Sequence, residues 1–254
     1  MLRRHACLFA SLLLLSSAPT IAASEPGPSG KPAVDVVKTQ TELKDAAMLE
    51  IQGYRLASRF YLAGSLGMTN AEITQLQKIR KTGNNLAAQQ SAEIRAAWQA
   101  LESTINESAL NPQGKPSEAL HKKISERLDA LSEAVNGSIS EIRKNAKRTP
   151  RGPADTLREL AVRFESLIFH HLSGIESAPG QQLLTQANAR FDKIDSVYTQ
   201  GETGKAVRDA GAKWPVLREA LLKGKEKNPV FMISRFHDQI ADDLDTALAE
   251  QPVY

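Results

Sequence analysis

The chain has 254 residues, with 32 Lys and Arg against 29 Asp and Glu, a net charge of +3, one cysteine and only 5% aromatic residues. Charges this evenly balanced leave no concentrated basic face, which argues against nucleic acid or an anionic membrane as the partner. Cys7 lies in the first few residues, so beyond the leader the sequence has neither a disulfide nor a cysteine nucleophile to work with.

In chain order, Met1-Leu2-Arg3-Arg4-His5, the apolar stretch Leu8 to Leu15 and the small residues Ala22-Ala23 have the layout of a secretory signal, residues 1–23, cleaved after Ala23. The protein is expected to be exported, periplasmic or secreted. The apolar run falls short of the roughly 20 residues a bilayer span needs, and no later segment approaches that length, so a soluble mature chain without a transmembrane segment is expected. Residues 24–40 carry Pro26, Gly27, Pro28, Ser29, Gly30 and Pro32 and read as a flexible leader, with the folded part starting near Thr41.

From Thr41 onward Ala, Leu, Gln, Glu, Lys and Arg dominate and no stretch alternates with β-branched residues, so the chain is expected to be all-α. Helices are predicted over 41–66, 70–109, 117–146, 154–173, 180–199, 205–223 and 229–250. Thr69-x-x-Glu72 is a capping box after Gly67, and Pro116-Ser117-Glu118 opens a helix after the breaker run Asn111 to Gly114. The basic run Arg143 to Arg148 sits at a helix end, where cations offset the helix dipole. Pro150, Gly152 and Pro153 mark a boundary, Gly201 to Gly204 separate two later helices, and Asn228-Pro229 provides an N-cap followed by Pro in the first turn. Leu157, Leu160, Ala161, Phe164, Leu167, Ile168 and Leu172 form one apolar stripe, and Phe236, Ile240, Leu244 and Leu248 another.

The same landmarks occur twice. Leu56-Ala57-Ser58-Arg59-Phe60 recurs as Leu160-Ala161-Val162-Arg163-Phe164 at an offset of 104. Trp98, Leu101, Ile124, Leu128 and Asp129 recur as Trp214, Leu217, Ile240, Leu244 and Asp245 at an offset of 116, which implies a twelve-residue insertion in the second copy between the Arg-Phe landmark and the Trp. A self-match of this kind predicts two tandem, internally duplicated antiparallel helical bundles, 41–148 and 154–250, joined by the link 149–153. Trp98, Trp214, Phe60 and Phe164 read as core residues.

Constellations for catalysis are absent: there is no phosphate loop, His-Glu-x-x-His or nucleophile elbow, so no enzyme and no cofactor are expected. His170-His171 and His237-Asp238 with Asp242 invite a metal reading, but adjacent histidines on a helix point about 100° apart, and solvated or rim histidines with no metal are expected. Met48, Arg55, Arg59, Leu62 and Leu66 share a stripe of the first helix. Half-buried arginines need a partner, either a carboxylate such as Glu102 or Glu126, or a bound anion matching the planar guanidinium. Arg55 and Arg59 are therefore the candidate ligand-binding residues. Arg163 lies with Glu159, Ser166 and His170 on a more polar stripe.

The segment Ala46-Ala47-Met48-Leu49-Glu50-Ile51-Gln52-Gly53-Tyr54-Arg55-Leu56 resembles the signature helix of the PilJ-type sensory domain of type IV pilus chemotaxis transducers and of the related nitrate/nitrite sensor kinases. Trp214-x-x-Leu217 with Ile233 to Leu248 is similar to that family's Trp-containing and closing helices. The resemblance implies extracytoplasmic helical bundles whose signature helices pack together around a small anion. Arg55 falls on the second arginine of the signature, whereas the first falls on Glu50, where a carboxylate would repel an anion, and the usual Ser is Gly53. Two readings follow: a non-enzymatic exported sensory protein for a small anion acting through a membrane-bound partner, or a scaffold or adaptor that recognises an envelope protein without a small ligand.

Overall fold

The computed structural model describes residues 32–145, 153–175, 178–198, 200–223 and 229–250, which form eight α-helices and no strands. They are α1 (Pro32–Ser65), α2 (Asn70–Ala88), α3 (Ala92–Asn106), α4 (Glu118–Asn145), α5 (Pro153–Ser173), α6 (Ala178–Val197), α7 (Gly201–Leu222) and α8 (Val230–Glu250). None of the helices is long and apolar enough to cross a membrane. The signal segment, Lys147, Arg148, the link up to Gly152 and the Asn228 cap lie outside the described residues.

Three boundaries depart from the sequence expectation. α1 begins at Pro32, so 32–40, assigned above to the leader, are helical. Proline suits a first helical position, where its missing N–H has no partner in any case, and neither Gly nor Pro follows until Gly53. The single helix expected over 70–109 is two, because Ser91 caps a new start by accepting from Ile94 N–H at 3.3 Å, while Gln89 and Gln90 close α2 onto the carbonyls of Leu86 and Ala87. Gly201 to Gly204, expected as a break, form the first turn of α7, with Gly204 N–H bonding the Gln200 carbonyl.

The remaining ends follow local chemistry. Thr69 accepts from Glu72 N–H at 3.4 Å and Ser117 from Leu120 N–H at 3.1 Å, which relieves two of the orphan donors at the starts of α2 and α4. α1 stops because Gly67 and Met68 turn left-handed, φ 88° and 52°, and send their N–H groups back to Gly64 and Ala63.

Register between helices is read from side-chain pairs. Glu50 meets Arg158, and Tyr61 stacks on Phe169 at 5.2 Å, so α1 and α5 lie side by side and run in the same direction. Arg55 reaches Asp245 and Arg59 reaches Asp238, so α8 runs against α1. Gly53 admits this packing: a Cβ there would lie 2.6 Å from Leu131 Cδ2, so α4 approaches α1 more closely than a side chain would allow. The core threads all eight helices. Trp98, Phe164, Phe60 and Trp214 are buried in it, and each indole N–H is satisfied, Trp98 Nε1 donating to Asn84 Oδ1 at 2.6 Å and Trp214 Nε1 to Asn188 Oδ1 at 2.9 Å.

Candidate functional site

Arg55, Ser58 and Arg59 are spaced three and four apart on α1 and therefore share a face. That face is turned toward α5 and α8. Arg55 Nε donates to Glu165 Oε1 at 2.8 Å, and its two terminal nitrogens hold Asp245 bidentately at 2.6 and 3.0 Å. The Ser58 hydroxyl lies 3.2 Å from Glu165 Oε2 and 3.1 Å from the Arg55 carbonyl of its own helix. His237 Nε2 donates to Glu165 Oε2 at 2.7 Å, and its Nδ1 to Asp238 Oδ1 at 3.1 Å. Arg59 Nη1 donates to both oxygens of Asp238 at 2.9 and 3.1 Å and approaches Ser234 Oγ at 3.4 Å, while Nη2 sits 3.0 Å from Glu72 Oε2, out of line for a hydrogen bond.

The result is an ionic network in which Arg55, Arg59 and His237 face Glu72, Glu165, Asp238 and Asp245, buried at Glu165 and His237 and open to solvent at Asp238 and Asp245. Glu165 is its centre, fully buried and surrounded by three donors. Burial alone would raise the Glu165 carboxyl, but the charges of His237 and Arg55 outweigh it and hold the group down at about 2. Burial would lower His237, but Glu165 and then Asp238 raise it to about 9. Arg55 is likewise held charged by Glu165 and Asp245 against its burial. Both ring nitrogens of His237 point at carboxylates, so near neutrality the imidazolium has no lone pair to act as a base.

A second histidine provides an internal comparison. Tyr61 OH lies 3.3 Å from His121 Nδ1, and His121 Nε2 lies 3.2 Å from His170 Nδ1, with the His121 ring stacked on Phe169. Tyr61 and His121 stand at the 104 and 116 offsets from Glu165 and His237. Where the partner is a carboxylate the imidazole is charged. Where it is a phenol, burial and the His170 charge lower His121 to about 4 and the ring stays neutral. Burial also lowers His170 and His171, the latter helped by Lys115. Among the described residues no three or more His, Cys, Asp or Glu side chains are grouped to hold a metal ion.

The candidate arginines are thus brought together: Arg55 is closed by Glu165 and Asp245, and Arg59 is paired with Asp238 and Glu72, its buried Nε having no hydrogen-bond partner among the described residues. The partners are not Glu102, which accepts from Asn84, or Glu126, which sits 3.9 Å from Lys122 on its own helix. Arg163 donates to Gln186 of α6 instead of joining the network. Glu50 is held by Arg158, which also donates to Asn136. Sequence reasoning missed Glu165, although it had a signal: a carboxylate one residue from Phe164 and one turn from Ala161 and Phe169 lies on the buried side of its helix and requires a cation. Asp245 was visible as a repeat landmark and His237-Asp238 as a suspected metal pair; neither hinted at Arg55 or Arg59.

Comparison with known proteins adds no kinship, since no family model, curated protein or solved structure matches this chain.

Proposed function

We propose that the chain is a non-enzymatic, exported recognition module built from two duplicated PilJ-like helical bundles, and that it works as an adaptor presenting a rigid surface to an envelope protein. The observation that carries this reading is the pairing of Arg55 and Arg59 with Glu165, Asp245, Asp238 and Glu72: the arginine face of α1 that the resemblance would turn to a small anion is met instead by carboxylates of the chain itself, on α5, α8 and α2.

Duplication is supported by matching contacts. The two Trp–Asn bonds recur, and Asn84 to Asn188 keeps the 104 offset while Trp98 to Trp214 keeps 116, so the extra residues fall between Asn188 and Trp214. α6 extends five residues past the counterpart of the α2 end, and α7 begins seven before the counterpart of the α3 start, which together account for the twelve. The pairing of parallel α1 with α5 then stands in one chain for the contact that receptors make by dimerising.

A surface for a partner lies at one end. Because α8 runs against α1, and Lys213 pairs with Asp243 between α7 and α8, the exposed Met68, Leu222 and Phe231 are level with one another; Leu222 and Phe231 are 65% and 62% exposed. Met68 also holds a left-handed backbone that costs a non-glycine residue about 1 kcal/mol, in a turn where its side chain stays in solvent. Pull-down from an envelope extract with the full chain and with the Leu222→Asp, Phe231→Asp double variant tests the reading. A defined protein retained by the first and lost by the second supports it; nothing retained, together with a thermal shift by nitrate or nitrite that Arg55→Ala abolishes, returns the function to anion sensing.

A further inference from the structure

Where α4 begins and α5 finishes, two histidines from different halves of the chain meet. His121 lies in the first turn of α4 and is buried, His170 lies in the last turn of α5 and is half-buried, and His121 Nε2 stands 3.2 Å from His170 Nδ1. The ring centres are 5.1 Å apart, closer than two rings aiming these nitrogens head-on at 3.2 Å would be, so the nitrogen axes meet at an angle. Zinc binds imidazole nitrogen at about 2.0–2.1 Å, which places two ligands of one tetrahedral ion about 3.3–3.4 Å apart, against about 2.9 Å at neighbouring corners of a square and about 4.1 Å in a linear pair. The separation in the protein lies nearest the tetrahedral value. The His121 ring is fixed by stacking on Phe169 at 4.6 Å, and Tyr61 OH lies 3.3 Å from its Nδ1. A ligating histidine commonly donates its other ring N–H to such an oxygen, which sets the tautomer and frees the first nitrogen's lone pair for the metal. Burial lowers both histidines, so near neutrality both rings are in the neutral form that coordinates.

We propose that His121 Nε2 and His170 Nδ1 form a two-histidine site for zinc, with Tyr61 as the residue that positions His121. In the bound form His121 carries its proton on Nδ1, toward the Tyr61 oxygen, and His170 carries its proton on Nε2. The N–H···N bond between the rings is thereby exchanged for two nitrogen–zinc bonds, and no proton is released. The donor set selects the metal. Two imidazoles, with no carboxylate grouped beside them among the described residues, suit zinc and offer nothing to magnesium or calcium, which take oxygen ligands. A closed structural zinc site takes four protein ligands, so this one leaves positions to water and exchanges its ion. His171, beside Lys115, points elsewhere and takes no part. The two ligands stand 49 positions apart, which is why the sequence displayed only the adjacent His170-His171. The site is separate from the Arg55–Glu165 network and does not depend on the adaptor reading; a bound ion would pin the start of α4 to the end of α5.

The test is a zinc sulfate titration of the full, untagged chain after chelator treatment, followed through the imidazole nitrogen and ring-proton NMR shifts. One zinc per chain is expected, with saturable shifts at His121 Nε2 and His170 Nδ1 and none on adding magnesium. Tyr61→Phe should weaken the binding about tenfold, the low end for loss of a group that orients a ligand. His121→Phe should abolish it. Because that change lies in the core, His170→Asn gives a second variant on the half-buried side, which should also abolish the shifts, while His171→Gln leaves them. Absence of saturation, zinc shifts confined to His171, or stoichiometric binding that survives His170→Asn would overturn the proposal.

Discussion

Glu165 shows how much rests on single atoms. Its carboxylate satisfies Arg55 Nε and His237 Nε2 at once, so Glu165→Ala strands two buried cations. A loss of about 3–5 kcal/mol is expected in urea denaturation, the range for removing one partner of a buried ion pair. Glu165→Gln keeps the shape but not the charge, and an NMR titration should find the His237 pKa fallen from about 9 toward its ordinary 6.5. Gly83 makes a separate case. A methyl group there would lie 2.1 Å from Trp98 Cη2 and Cζ2, atoms of a rigid buried ring, so Gly83→Ala should cost about 1–3 kcal/mol by overpacking, read from the denaturation midpoint. At the 104 offset stands Ala187, fully buried, so the second half already tolerates the methyl that the first excludes.

Between elements, the two histidine contacts pull stability in opposite directions with pH. His237 is raised, so its stabilising contribution is complete below the unfolded value of 6.5 and is lost as pH climbs through about 9. His121 is lowered, so its contribution is complete above 6.5 and is lost as pH falls toward about 4, with His170 and His171 adding in the same sense. Glu165, also lowered, holds its contribution above 4.5 and loses it only as pH falls through about 2. Urea denaturation across pH should therefore show a maximum near 6.5, and His121→Phe should lessen the slope of the acid limb, leaving the part that belongs to His170, His171 and Glu165, without changing the alkaline one. The capping box belongs to the same scale: Thr69 and Glu72 were readable as a helix start, and the Thr69 cap forms, but the Glu72 carboxylate is drawn to Arg59. A local pattern predicts the local bond and cannot know about a cation arriving from the preceding helix. The break at Gln89–Ser91 was missed because neither Gly nor Pro marks it, although the matching pair of helices in the second half pointed to a division there.

For the molecule as a whole, α1 is the shared element: it packs on α2 and α4 of its own half and on α5 of the other, and its arginines bind α8. Halves joined through a common core and an ionic network should unfold together. Each half carries one tryptophan, so Trp98→Phe and Trp214→Phe variants report the halves separately, and their fluorescence transitions should coincide at one denaturant midpoint in the variants of matched stability. Two separated midpoints would show that the ionic network does not couple them. From the sequence alone come the all-helical class, most helix starts, the buried aromatic landmarks and the recurrence of both, because capping and apolar spacing are set by residues a few positions apart. Only the tertiary structure decided that Arg55 and Arg59 are answered by Glu165, Asp245, Asp238 and Glu72: the arginines lie more than a hundred positions from three of these carboxylates, and which charge neutralises which depends on how α1 is laid against α5 and α8.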